Sequence, residues 1–279
     1  MLPEFSSAAA RTKEEAIRSL GDHPGSTLLA GGTDLLVRMR RGETHAHLVD
    51  ITRVPELSVI ASENGRLRIG ACTTHSAISR NAGILTGARS LSIACSLVGS
   101  PQIRNMGTIG GNLVNASPAA DSIPPLLVHD AQLTLESSEG ATVEGLELFV
   151  VAPYKTVISS AELLSSITIE VLRGYEEGYR RVAKRAALAI SRLSIAWAIK
   201  EEEKRFADVR LAIGSCTPMP FRPRKVEEFL KGEKREKGVA EEAARMVVGE
   251  IRAITGDRPS FVYKLPVVRD LLLAILGGR

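Results

Sequence analysis

Aromatic residues are scarce in this chain and make up only 4% of its 279 residues. Proteins that bind single-stranded nucleic acid stack the bases on aromatic side chains, so this scarcity disfavours such a role. The charge argues the same way, because 36 basic residues are offset by 32 acidic ones and the formal net charge is only +4. A basic nucleic-acid or assembly module is therefore the weakest functional hypothesis, and we predict no nucleic-acid partner.

Cysteine is also sparse, and its spacing is uninformative for metal binding. Cys72, Cys95 and Cys216 lie far apart and form no C-x-x-C pair, which disfavours a self-contained iron–sulfur cluster or zinc site. We predict that all three are small buried hydrophobic residues. His45 and His47 lack a carboxylate or thiol at ligand spacing and are interpreted as loop or strand-start residues. No metal site is predicted in this chain.

No apolar run is long enough to cross a bilayer, and residues 1–5 lack the basic-then-apolar pattern of a secretion signal. The sequence therefore predicts no membrane span and a cytoplasmic location. A hydrophobic content of 44% is sufficient for a substantial core.

Local patterns divide the chain into three regions. Residues 1–57 read as an α/β lobe with strands at 26–30 and 48–51 and a helix over 13–20, which Thr12 and Glu15 open as a capping box. Residues 58–173 read as a second α+β lobe with an antiparallel sheet, with hairpin turns at Asn64-Gly65 and Glu139-Gly140. Residues 113–115 are not predicted to be helical.

Residues 174–279 read as a separate carboxyl-terminal domain. The segment 174–178 is polar and is predicted to be a flexible boundary. Strands are predicted over 179–184, 191–200 and 207–213, and helices over 224–231, 239–254 and 260–276. The predicted fold class is α+β, ending in a three-stranded antiparallel sheet that carries helices.

Two glycine-rich strings, residues 30–34 (AGGTD) and 108–112 (TIGGN), each follow a short apolar run. Paired glycines allow a diphosphate to approach main-chain N–H groups, and the neighbouring polar side chains can hydrogen-bond to it. One such string alone is usually an ordinary turn. Two together indicate a long, folded-over dinucleotide such as FAD, although neither matches the G-x-G-x-x-G fingerprint of a Rossmann site.

Asp121 follows the second string in the segment 115–121. Its carboxylate could accept hydrogen bonds from ribose or ribityl hydroxyls. It could equally cap the turn before Pro124-Pro125, and both readings stay open.

These strings, together with residues 1–5, 69–75 and 101–105, resemble the FAD-binding medium subunits of molybdenum hydroxylases. That family includes the flavoproteins of carbon monoxide dehydrogenase and of bacterial xanthine and aldehyde dehydrogenases. Residues 184–191 resemble a later family segment, so the likeness spans nearly the whole chain. It implies a two-lobed FAD-binding domain of the para-cresol methylhydroxylase type, followed by the carboxyl-terminal domain.

The resemblance also implies which residues hold FAD. The first string and its flanks would bind the diphosphate, as would the second string from the other side, while further residues would contact the ribityl or ribose hydroxyls, pack against the cofactor or lie nearby. A cation would stand near the polar edge of the flavin, and two candidates compete for that position. The diphosphate-binding residues would be Leu29, Ala30, Gly31, Gly32, Thr33, Asp34 and Leu35 from the first string, and Thr108, Ile109, Gly110, Gly111 and Asn112 from the second. Asn115 and Asp121 would contact the hydroxyls, Leu164 would pack against the cofactor, and Thr74 would lie nearby. The cation would be Arg181 or Lys184.

In function, the resemblance implies an FAD-dependent oxidoreductase subunit that transfers electrons within a molybdenum hydroxylase complex of the xanthine, aldehyde or carbon monoxide dehydrogenase type, and no catalytic residue is assigned in this chain. A small subunit with [2Fe-2S] clusters would pass electrons to FAD, a large subunit would hold the molybdenum cofactor, and a soluble acceptor would receive the electrons. The implied assembly is a dimer of heterotrimers. The alternative is a stand-alone FAD-dependent oxidoreductase of the same broad fold, for which no convincing proton donor is found in the sequence.

Overall fold

The computed structural model describes residues 2–185 and 189–278. It begins with a three-stranded parallel sheet in the order β1-β3-β2. Its elements are β1 (Ser6–Ala9), α1 (Lys13–Asp22), β2 (Thr27–Leu29), α2 (Leu35–Arg40) and β3 (His47–Asp50). The predicted Thr12 cap is confirmed, because its hydroxyl accepts a hydrogen bond from the Glu15 N–H at 3.2 Å. The reciprocal half of the capping box is shifted by one residue, since the Glu15 carboxylate accepts from the Arg11 N–H at 2.7 Å.

The second sheet has five antiparallel strands in the order β4-β5-β10-β6-β7. The strands are β4 (Ile60–Glu63), β5 (Arg66–Gly70), β6 (Gln132–Ser137), β7 (Gly140–Gly145) and β10 (Leu163–Glu170), and a small hairpin pairs β8 (Val150–Ala152) with β9 (Lys155–Thr156). The first predicted hairpin turn is confirmed, with φ values of 51° at Asn64 and 75° at Gly65. The second turn lies one residue earlier than predicted, since Gly140 already pairs with Ser137.

Helices fill the connections of this second sheet. They are α3 (His75–Arg80), α4 (Ala82–Gly87), α5 (Arg89–Leu97), α6 (Pro101–Met106), α7 (Ile109–Asn115), α8 (Ile123–Val128) and α9 (Leu146–Phe149). Most are short, and their buried faces form one core with the inner face of the sheet, represented by Leu91, Leu113 and Ile167. None of the helices in the described part of the chain combines the length and apolar character needed to cross a membrane.

The third sheet is the predicted meander, made of β11 (Glu176–Ala183), β12 (Ser191–Glu202) and β13 (Arg205–Gly214). The helices α10 (Arg224–Leu230), α11 (Lys237–Thr255) and α12 (Phe261–Leu276) follow. Side chains alternate along β12: Ile195 and Trp197 belong to the core shared with these helices, while Ala196 and Ala198 join the core of the second sheet. The small alanines let the carboxyl-terminal sheet pack closely on the preceding lobe.

The polar segment 174–178 is only partly a connection. From Glu176 onward its residues belong to β11, and Gly178 is buried. The domain boundary at this segment stays a prediction. A Cβ at Gly178 would collide with the indole ring of Trp197 on β12. This glycine is therefore required by close packing between strands, a long-range contact that local composition does not reveal.

Candidate functional site

A cleft of about 470 Å³ lies between the parallel sheet and the second lobe. Most of the residues that the sequence assigns to the cofactor line it. From the first string and its flanks they are Leu29, Ala30, Gly31, Gly32, Thr33, Asp34 and Leu35; from the second, Thr108, Gly110, Gly111 and Asn112; and beyond these, Asn115 and Leu164. The fold thus brings together two strings that are more than seventy residues apart in the sequence.

The first string is a loop that connects the carboxyl end of β2 to α2. Within the described part of the chain, no hydrogen-bond acceptor faces the backbone N–H groups of residues 31–34. Gly32 has a φ of +67°, which favours glycine, and a Cβ on Gly31 would collide with the carbonyl oxygen of Met106. A row of unpaired N–H groups beside an open cleft is suited to the oxygens of a diphosphate.

The second string differs from the first because its N–H groups are already engaged. Thr108 caps α7 through a 3.1 Å hydrogen bond from Gly111 N–H, and Gly110 N–H donates to the Ala71 carbonyl at 2.8 Å. The expectation that residues 113–115 are not helical is wrong, since they form the last part of α7. The Thr108 cap and the close approach of Gly110 to Ala71 stabilise a helix that two glycines disfavour.

Gly111 is the glycine of this string that lies exposed at the surface of the cleft. It is exposed, and a Cβ there would meet only the hydroxyl oxygen of Thr108, at 2.9 Å. Gly110 lacks a side chain for another reason, because a Cβ would lie 2.6 Å from the Cβ of Ala71. The two neighbouring glycines therefore serve different purposes, one in packing and the other in the shape of the cleft.

Several assigned residues lie outside the lining of the cleft. Thr74 caps α3 and bridges to Thr108, and Ile109 is fully buried. Lys184 is exposed. Its resembling segment, 184–191, continues through residues 186–188, which lie outside the described residues. The roles of these residues toward a cofactor stay predictions.

Asp121 is buried and already has three hydrogen-bond donors. It accepts from the hydroxyls of Tyr179 and Ser191, both at 2.5 Å, and from the guanidinium of Arg181 at 2.7 Å. Burial and the charge of Asp121 raise the pKa of Tyr179 well above its ordinary value of 10.0. Asp121 and Arg181 thus bind each other and join the second lobe to the third sheet.

Sequence reasoning missed several lining residues, among them Arg38, Cys72, Tyr154, Ser159 and Ser160. Arg38 donates a 2.7 Å hydrogen bond to the Asn115 side chain, which links α2 to α7 across the cleft. Its place in the cleft could have been predicted from the sequence, because Arg38 lies one helical turn after Leu35 on the helix that begins at the first string. Ser159 and Ser160 belong to a loop before β10, and no local sequence pattern identifies them as lining residues.

The buried titratable groups of the cleft wall are neutral at pH 7. Burial, assisted by the charge of Asp50, raises the pKa of the Cys72 thiol to about 12. Burial, with the nearby charge of Arg104, lowers the pKa of His75 to about 4. The wall of the cleft therefore offers N–H and O–H groups, apolar surface and the carboxylates of Asp34 and Glu162. Arg38 adds a cation near the end of α2, and its Nε pairs with the Glu43 carboxylate at 3.0 Å.

A cleft with a row of free N–H groups at the end of a strand is the kind of site that binds a phosphorylated ligand. Residues 3–170 match the family model described as the FAD-binding domain in molybdopterin dehydrogenase. Residues 178–277 match the CO dehydrogenase flavoprotein C-terminal domain. The open N–H row and the glycine surface at position 111 are compatible with the diphosphate of FAD.

Individual proteins agree with these models. The chain is 33% identical over 276 residues to a glyceraldehyde dehydrogenase medium chain of Sulfolobus acidocaldarius, covering 97% of this chain and 96% of the relative. It is 29% identical to a xanthine dehydrogenase FAD-binding subunit of Escherichia coli O157:H7, covering 96% and 93%. A solved structure of quinoline 2-oxidoreductase from Pseudomonas putida 86 shares the fold, with a TM-score of 0.91, 22% identity and coverage of 99% and 96%.

The chain therefore belongs to the family of FAD-binding subunits of molybdopterin dehydrogenases. This confirms the predicted family, the α+β fold class and FAD as the cofactor.

Proposed function

We propose that this chain is the electron-transfer subunit of a molybdenum hydroxylase complex, linking a partner's iron–sulfur clusters to a soluble electron acceptor. The observation that carries the proposal is the cleft with its free N–H row at residues 31–34, in a chain of this family. When bound, the flavin supplies the redox chemistry, and it can accept and release electrons singly or in pairs.

The residues of the chain would then bind and orient the cofactor. The N–H groups of the first string would hold the diphosphate, and Gly111 would leave room for it on the opposite side. Arg38 would add positive charge to the same region. Arg181 is engaged by Asp121 whereas Lys184 is exposed, so Lys184 is the cation more available to the polar edge of the flavin.

The cysteines support the need for a partner. The chain has only three, and all are free and buried at separate places. Burial raises the pKa of Cys216 to about 11 and that of Cys72 to about 12, so these side chains are thiols rather than cluster ligands at neutral pH. We therefore infer that a small subunit supplies the [2Fe-2S] clusters and a large subunit the molybdenum cofactor, in a dimer of heterotrimers.

The test is anaerobic stopped-flow reduction of the flavin. The chain is reconstituted with FAD and mixed with the hydroxylase substrate, alone or after assembly with the small [2Fe-2S] subunit and the large molybdenum subunit of the complex. Rapid bleaching of the visible flavin band only in the complex is the expected result. Equal rates with and without the partners would refute the proposal in favour of a stand-alone oxidoreductase.

A further inference from the structure

His75 is a buried imidazole directly behind the point where the two glycine-rich strings meet. It is 2% exposed, it lines the cleft, and its backbone N–H donates to the Gly107 carbonyl at 3.0 Å. Gly107 is also the residue that Gly31 approaches, since a Cβ on Gly31 would lie 3.1 Å from the Gly107 Cα. The side chain of His75 therefore reaches the same part of the cleft as the free N–H groups of the first string.

One ring nitrogen of His75 points away from the cleft toward a thiol. Nδ1 lies 3.5 Å from the Sγ of Cys95, which is fully buried on α5. Burial raises the pKa of Cys95 and lowers that of His75 to about 4, so both groups are uncharged at pH 7. A thiol is a weak donor and a weaker acceptor, whereas a neutral imidazole nitrogen is a good acceptor. This contact favours the tautomer in which Nδ1 accepts from the S–H group and the ring proton is on Nε2.

His75 is among the residues that line the cleft, and the other edge of its ring lies beside Gly107. A Cβ on Gly107 would lie 3.5 Å from Cδ2, the carbon bonded to Nε2, 3.3 Å from the Thr33 hydroxyl oxygen and 2.9 Å from the Ile103 carbonyl oxygen. Nε2 has no hydrogen-bond partner within the described residues, and it keeps some contact with solvent. An N–H donor without an acceptor is thus open to whatever occupies the cleft at this point.

We propose that His75 is a positioning residue that donates a hydrogen bond from Nε2–H to the cofactor's diphosphate, with the Cys95 thiol fixing the required tautomer. The inference rests on the proposed function, because it assumes that the cleft holds FAD. A neutral donor here supplements the backbone N–H groups, and Cys95 acts only through His75. Neither residue takes part in electron transfer.

The experiment measures binding of FAD, ADP and adenosine to the full apo chain by calorimetry. Because hydrogen bonds to charged groups are the stronger ones, His75→Ala should weaken FAD and ADP by about tenfold or more. Adenosine lacks the diphosphate, so its affinity should not change. His75→Gln carries an amide N–H at a similar reach and should restore most of the affinity. Cys95→Ala should weaken FAD, Cys95→Ser should do so less, and Cys216→Ala is the matched buried-thiol control.

Two spectroscopic measurements separate this role from a merely structural one. The ¹⁵N spectrum of histidine-labelled wild-type protein should show His75 as the neutral Nε2–H tautomer, and the ³¹P resonances of bound FAD should shift in His75→Ala. An Nδ1–H tautomer, or equal FAD affinity in wild type and His75→Ala, would overturn the inference while leaving FAD binding intact. Failure of the wild-type chain to bind FAD would instead refute the proposed function. If His75→Ala does not fold, the wild-type ¹⁵N spectrum and His75→Gln still decide the matter.

Discussion

The buried carboxylate of Asp121 gives the most informative test of the structure, through the substitution Asp121→Asn. The side chain is 7% exposed, and its partner Arg181 has a side chain that is 8% exposed. Asn has nearly the same shape as Asp but removes the charge and leaves Arg181 as an unpaired buried cation. Breaking a buried pair in this way costs about 3–5 kcal/mol. We expect a loss of unfolding free energy of that size.

The measurement is urea unfolding of the apoprotein, so that cofactor binding does not contribute. Glu147→Gln is the matched control, because it breaks an ion pair with Arg224 whose side chains are 50% and 48% exposed. That exposed pair should contribute at most about 1 kcal/mol. A loss of under about 1 kcal/mol for Asp121→Asn would contradict the structural role of the cluster. If FAD affinity fell while apoprotein stability was unchanged, Asp121 would instead act mainly as the cofactor ligand expected from the sequence.

Three further outcomes can be checked with simple variants. Gly111→Ala should weaken FAD binding by roughly tenfold, because the added methyl group occupies the cleft. Gly249→Ala, at an open position in α11, should leave the affinity unchanged. Equal FAD affinities of the two variants in a fluorescence titration would mean that Gly111 does not face the cofactor. Burial acts to raise the pKa of Glu177, but its hydrogen bonds and the charge of His129 lower that pKa below 4.5. The free energy of unfolding of the wild-type protein should therefore fall as the pH drops below about 4.5. Glu177→Gln should lose this part of the acid dependence, as measured by urea unfolding at a series of pH values. Cys72 should react slowly with iodoacetamide at pH 8, because burial raises its pKa to about 12. Bound FAD should slow the labelling of Cys72 further and leave the labelling of Cys216 unchanged. Fast labelling of Cys72 in the holoprotein, measured by mass spectrometry, would contradict its place in the cleft wall.

Much of the fold is predictable because local signals agree with tertiary structure. The Thr12 cap, the Asn64-Gly65 turn and the three strands of the meander all depend on residues adjacent in sequence. The first glycine-rich string was also predictable, since it lies where a strand ends and its N–H groups are free. These features require no knowledge of distant neighbours.

The errors arise where distant contacts decide. The helix α7 contains Gly110 and Gly111, and it forms because Thr108 caps it and Ala71 packs against Gly110. Gly178 reads as a flexible linker residue but is required by the ring of Trp197. The role of Asp121 toward a cofactor stays a prediction, but its partners within the chain, which lie on β11 and β12, could not be predicted. Local sequence cannot indicate such partners.

The contact between Gly31 and the Met106 carbonyl has a consequence for how the family diversifies. The two halves of the cleft meet main chain to main chain at this point, and the Met106 residue itself is 56% exposed. Side chains around the contact can therefore be exchanged over evolution without displacing the N–H row that Gly31 begins. Subunits with only about one third of their residues in common, such as this chain and its 33% identical relative, can then keep the same backbone arrangement at the cofactor site while their exposed side chains differ.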